Sequence, residues 1–214
     1  MQNMPIMIAN RIVPVVVIND ISAAIPLAET LLKAGINNME ITLRTPNALA
    51  IISKLAQEVP ELIVGAGTIL NRDNFISAFE AGAKYIISPG LTSELINVGQ
   101  QYADKIKFIP GICTPSQAMD ALNAGFNQVK FFPAEPYNAY AVIKSLAGVF
   151  PQLQFCPTGG LSIDNVERYL SLANIFAVGL SSIVEAKLIE QHNFAEIYQR
   201  CCQVINLVKS KETL

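Results

Sequence analysis

Eight short runs rich in β-branched and aromatic residues recur along the chain: 12–18 (IVPVVVI), 39–44 (MEITLR), 62–68 (LIVGAGT), 84–88 (KYIIS), 106–111 (IKFIPG), 128–133 (QVKFFP), 154–159 (QFCPTG) and 175–179 (IFAVG). Between them lie stretches with helical apolar spacing, such as 24–35, 47–59 and 75–82. Strand alternating with amphipathic helix predicts parallel βα units. Several runs are apolar on both faces, as strands buried from both sides should be. Eight units in 214 residues fit a (β/α)8 TIM barrel, read as a single domain over 1–214. A doubly wound open sheet is the alternative, but no G-x-G-x-x-G follows the first run to support a dinucleotide site.

The punctuation repeats as well. Ala34-Gly35, Ala81-Gly82 and Ala124-Gly125 are expected to close helices, with glycine in the left-handed position. Thr45-Pro46 and Thr114-Pro115 are expected to open helices, Thr as N-cap and Pro in the first turn. Ser162 is expected to cap another, and a last helix spans roughly 193–210.

Composition narrows the function. Only 15% of residues are charged, against about 25% in an average domain. Such a surface is either folded into one large core or covered by a partner. The net charge of −2 comes with no Lys/Arg stripe, which excludes a nucleic-acid footprint. No run of about 18 apolar residues predicts a membrane span. No basic segment followed by a long apolar one marks a signal peptide at the N-terminus. Cys113, Cys156, Cys201 and Cys202 include no C-x-x-C and read as free thiols of a reducing cytoplasm. The single histidine, His192, leaves almost no material for a zinc site or a Ser-His-Asp triad, so no metal is expected.

The repeat also locates the chemistry. Glu40 lies five residues after Gly35, and Lys130 five after Gly125. Both occupy the same position in their units, on the second and sixth runs. In a (β/α)8 barrel, alternate strands contribute to shared interior layers. Alternation sets Glu40, Thr42 and Arg44 on one face and Met39, Ile41 and Leu43 on the other. The apolar set belongs under the helices, so Glu40 points inward. Lys130 and Phe132 likewise point in, and Val129 and Phe131 out. A self-satisfied buried ion pair is the plain reading, although such pairs stabilise poorly. The sharper reading is a Schiff-base lysine with an acid/base carboxylate. An amine must be neutral to attack a carbonyl, and burial disfavours an ammonium. The other nine lysines read as solvated.

The ends of other runs fit a pocket. Gly65-Ala66-Gly67-Thr68 would let a substrate approach the backbone. Ser88-Pro89-Gly90 is either a tight turn or part of a pocket. Pro157-Thr158-Gly159-Gly160 and Gly179-Leu180-Ser181-Ser182 end the seventh and eighth runs, where such barrels cradle phosphate. Arg44 can fork onto a carboxylate or make a surface salt bridge.

Taken in order, MEITLRTPNA, IVGAGTIL, ISPGLT, IPGICTPSQ, VKFFPAE and CPTGGLS resemble the 2-dehydro-3-deoxyphosphogluconate / 4-hydroxy-2-oxoglutarate aldolase family. The likeness runs from about residue 12 to 182. KFFPAE together with PTGG is its most specific part. The resemblance implies a class I aldolase on a (β/α)8 barrel, without metal or cofactor, acting on a small 2-oxo acid and assembled as a homotrimer. By motif, Lys130 corresponds to the Schiff-base lysine and Glu40 to the acid/base carboxylate. Arg44 and Thr68 correspond to the holders of the pyruvate carboxylate, and Pro89, Phe132 and Thr158 to pocket residues. Gly159, Gly160 and Ser181 correspond to phosphate contacts. One position departs: many members have Gly-Gly-Ser after the last strand, where this chain has Gly179-Leu180-Ser181. A side chain at 180 is expected to crowd the phosphate loop. Two rival readings remain, a phosphosugar isomerase or epimerase and a metabolite-binding barrel without turnover.

Overall fold

All eight runs carry strand in the structure, a computed structural model that describes residues 8–212. The strands are β1 (Ile12–Val16), β2 (Asn38–Thr42), β3 (Ile63–Gly67), β4 (Tyr85–Ile87), β5 (Lys107–Ile109), β6 (Gly111–Ile112), β7 (Gln128–Phe131), β8 (Gln154–Pro157) and β9 (Val178–Leu180). The fifth run becomes two strands because Pro110, which has no N–H, interrupts the ladder. The eighth run pairs later than its sequence predicts, at 178–180, while Ile175 keeps only an isolated bridge to Phe155.

Every strand pair is parallel. A six-stranded sheet runs β5-β4-β3-β2-β1-β9 and a three-stranded sheet runs β6-β7-β8. The sheets adjoin at Pro110, where β5 leads into β6, and through an isolated bridge between Thr158 and Gly179. Neighbours follow chain order and the last strand lies beside the first, unlike the order of a doubly wound sheet.

Helices α1 (Ala24–Lys33), α2 (Ala48–Glu58), α3 (Arg72–Glu80), α4 (Ser93–Gln101), α5 (Pro115–Asn123), α6 (Ala139–Leu146) and α7 (Ile163–Leu170) alternate with the strands, followed by α8 (Ala186–Glu190) and α9 (Phe194–Glu212). Thr114 opens α5 through a capping box with Gln117, and Ser162 opens α7 through one with Asn165. Gly35, Gly82 and Gly125 take the expected left-handed backbone after α1, α3 and α5. Thr45 does not cap a helix. Its hydroxyl donates to the Ile18 carbonyl at 2.6 Å, and α2 starts only at Ala48. Thr45 thus ties two loops together. Among the described residues no helix is long and apolar enough to cross a membrane.

Strand alternation sorts the core. Met39, Ile41, Val129 and Phe131 are fully buried in one large apolar cluster with helix residues such as Leu27, Leu31 and Ile51. The opposite strand faces hold only small apolar clusters, Val13 with Cys156 and Ala177, and Tyr85 with Ile87 and Ile109. Buried polar groups fill much of the rest, including Asn38, Glu40, Thr42, Lys107 and Lys130. A purely structural interior would carry Val, Ile and Leu there.

Candidate active site

Glu40 on β2 and Lys130 on β7 meet as the alternation predicts. Lys130 Nζ lies 3.4 Å from Glu40 Oε1, across 90 residues of sequence. Lys130 is 4% exposed and Glu40 1%. The amine also stands 5.3 Å from the centroid of the Phe132 ring. Buried this far, a proton passing between these groups meets little competition from solvent.

The glycines of β3 make room for this arrangement. A Cβ on Gly67 would overlap the Glu40 carboxylate, and one on Gly65 would overlap the Tyr85 ring. Gly67 therefore makes the room into which Glu40 folds, and Gly65 makes room for the ring on its register partner Tyr85. The Tyr85 hydroxyl donates to Asn38 Oδ1 at 3.4 Å, and Asn38 Nδ2 donates to the Ile12 carbonyl at 2.9 Å. Burial, aided by the Glu40 charge, holds the Tyr85 phenol well above its ordinary pKa, so it remains a neutral donor. Gly67→Ala is expected to displace the carboxylate and lower turnover about 10²-fold. Gly148→Ala, where a Cβ meets nothing within 4 Å, is the control and should leave turnover unchanged.

At the rim, Arg44 Nε donates to Thr68 Oγ1 at 3.2 Å, bringing together two residues expected to act as a pair. Thr68 holds a left-handed backbone, φ 61°. Pro89 packs its backbone against Gly111, the register partner of Lys130. Thr158 is 6% exposed and lies against Gly179. Gly159 and Gly160 form a left-handed turn, φ 102° and 81°, packed on Phe132 and Glu135. Asn165 Nδ2 donates to the Gly160 carbonyl at 3.2 Å, and Ser182 Oγ to the Leu161 carbonyl at 3.1 Å. These bonds hold the loop after β8 beside the exposed Ser181. Gly159 and Gly160 lie just before Ser162, the residue that caps α7.

Leu180 does not crowd this loop. It is fully buried in the outer apolar cluster beneath the helices, while its neighbour Gly179 faces Thr158. Strand alternation turns the side chain at 180 away from the interior. Cys156 pairs in register with Lys130, but burial pushes its thiol up to about 12, which leaves it inert as a nucleophile. Among the described residues no group of three His, Cys, Asp or Glu could hold a metal ion.

A second buried lysine escaped the sequence reading. Lys107 on β5 is 7% exposed and has no ion-pair partner among the described residues. It shares the parity of Ile109, so it lies on the inner face. Burial lowers its pKa. The unfolded chain therefore keeps this proton to higher pH than the fold does, and Lys107 costs stability below its folded pKa. The cost fades as pH rises toward the ordinary lysine value. Lys107→Met is expected to raise stability near pH 7 by about 1 kcal/mol, or roughly 2–4 °C in Tm. The gain should shrink in melting curves taken toward pH 10.5.

Fold and site together define a parallel α/β protein whose interior brings a buried amine to a buried carboxylate. The family model of KDPG and KHG aldolase matches residues 4–200. A curated 2-dehydro-3-deoxy-phosphogluconate aldolase of Pseudoalteromonas atlantica is 41% identical over 91% of this chain and 89% of its own length. The KHG/KDPG aldolase of Escherichia coli K12 is 40% identical over 90% and 89%. A crystal structure of KDPG aldolase from Legionella pneumophila, with pyruvate captured as a covalent carbinolamine, superposes with a TM-score of 0.88. It is 42% identical and covers 91% of this chain and 93% of that one. The chain belongs to the KDPG and KHG aldolase family.

Proposed function

We propose that the protein is a class I aldolase, a lyase that cleaves 2-dehydro-3-deoxy-6-phosphogluconate to pyruvate and glyceraldehyde 3-phosphate, and 4-hydroxy-2-oxoglutarate to pyruvate and glyoxylate. The observation that carries this is the buried 3.4 Å contact of Lys130 with Glu40. Neutral Lys130 adds to the C2 ketone, and loss of water from the carbinolamine leaves an iminium. That iminium is an electron sink adjacent to the bond to be cleaved. Glu40 takes the proton of the C4 hydroxyl, directly or through one water, and the C3–C4 bond breaks. The aldehyde departs, the enamine takes a proton at C3, and hydrolysis frees pyruvate and Lys130. Arg44 and Thr68 hold the pyruvyl carboxylate, while Pro89, Phe132 and Thr158 wall the pocket. Gly159, Gly160 and Ser181 receive the phosphate. No metal or cofactor has a part in this sequence.

The same reading places the site in one (β/α)8 barrel domain. Supporting closure are the position of β9 beside β1 and the Thr158–Gly179 bridge. A homotrimer in the cytoplasm completes it. Its supports are the low charged fraction and the four free cysteines.

The test is pyruvate release from the two substrates and from the galactonate-derived epimer of the phosphorylated one, with EDTA present. The expected result is release from the phosphogluconate-derived substrate at full rate. Binding without pyruvate release would favour a non-catalytic barrel, and a rearranged product without pyruvate would favour an isomerase.

A further inference from the structure

The sequence motif KFFPAE ends in a carboxylate that the reaction above does not use. Glu135 lies five residues beyond Lys130. It sits against the Gly159–Gly160 turn: a Cβ on Gly160 would stand 2.7 Å from Glu135 Cβ and 2.9 Å from its Cγ. The Glu135 N–H donates to the Gly159 carbonyl at 3.0 Å, and the Ala134 N–H to the Thr158 carbonyl at 2.8 Å. An unpaired carboxylate in that position would repel a phosphate bound at the turn.

It is not unpaired. Arg168 Nη2 donates to both Glu135 oxygens, at 2.6 and 2.8 Å, and the Tyr169 hydroxyl donates to the same carboxylate. The guanidinium also lies 5.2 Å from the Tyr169 ring centroid and 5.8 Å from that of Tyr140. Arg168 is on α7, the helix that follows the turn. The cluster thus joins the segment after Lys130 to the helix that starts beneath the turn. Exposed ion pairs contribute little to stability, so stability alone does not explain a clamp at this place.

We infer that Arg168, through Glu135 and Tyr169, is the positioning residue that makes the Gly159–Gly160 turn accept a phosphorylated substrate. This rests on the reading of that turn as the phosphate site. Arg168 cancels the Glu135 charge beside the turn. The Tyr169 bond, then Arg168, hold the Glu135 carboxyl below its ordinary range, so the clamp stays charged throughout neutral pH.

The experiment compares kcat and KM of wild type, Arg168→Ala and Arg168→Ala/Glu135→Gln. Three substrates are used: 2-dehydro-3-deoxy-6-phosphogluconate, its dephosphorylated analogue, and 4-hydroxy-2-oxoglutarate. Arg168→Ala is expected to raise KM for the phosphorylated substrate about tenfold and to leave kcat/KM for the other two within about twofold. Removing the bared carboxylate in the double variant should recover most of that loss. Equal loss on all three substrates would make the clamp merely structural and overturn the inference, as would no loss on any. A wild type that does not discriminate the phosphorylated substrate from its dephosphorylated analogue would instead remove the phosphate reading of the turn itself, and the inference with it.

Discussion

Lys130→Arg is expected to lose turnover by about 10⁴-fold or more, because a guanidinium keeps the positive charge but does not deprotonate to a nucleophile. The substitution separates covalent from electrostatic roles. If Lys130 only attracted the substrate carboxylate as a cation, Arg would serve nearly as well. The ion pair with Glu40 is retained, so the variant should remain folded. Lys130→Met provides the second case. It fills similar space among Phe132 and the strand interior without any charge, and it should be equally inactive. Release of pyruvate, followed continuously, is the readout for both. Near wild-type turnover in either would remove the lysine from the reaction.

Glu40→Gln should lower turnover about 10²–10⁴-fold, the range expected for loss of a positioned acid/base group. Gln preserves shape, so the space above Gly67 remains filled. Loss of one partner of a buried pair usually destabilises, since the other charge is left stranded. Here the Gln side chain still offers an amide oxygen to accept from the Lys130 amine, so the melting temperature should change little. A steady-state comparison with 4-hydroxy-2-oxoglutarate separates this residue from the phosphate loop, because that substrate carries no phosphate. A folded Gln variant with wild-type kcat would leave Glu40 as a structural ion pair only.

Much of this site could be read from periodicity. The two-residue alternation of a strand needs no structure to turn Glu40 and Lys130 to the face opposite Met39 and Val129, and the observed burial agrees. The repeated Ala-Gly closers set both residues at the same depth, and their contact at 3.4 Å follows. What stayed hidden depends on register between strands. Gly65 and Gly67 read only as room for a substrate until Tyr85 and Glu40 are seen occupying the space over them. Lys107 looks solvated between Ile106 and Phe108, though its parity with Ile109 was an available signal. The same parity was available at Leu180, which follows an inward Gly179 and so had to point outward. Thr45 matched a helix start by residue type, yet a carbonyl from the loop after β1 competed successfully for its hydroxyl. The Glu135–Arg168 clamp joins residues 33 apart, and no local pattern announces it.

The central claim is that Lys130 forms a covalent bond to the substrate, and borohydride tests it most directly. An iminium formed with pyruvate is reduced by borohydride to a stable secondary amine, whereas an ion pair is not reducible. Treatment of the wild-type protein with pyruvate and borohydride together should abolish activity and add one reduced pyruvyl group to the peptide containing Lys130. Borohydride or pyruvate alone should do neither. An unmodified Lys130 peptide, or an adduct mapped to Lys107 or any other lysine, would contradict the account.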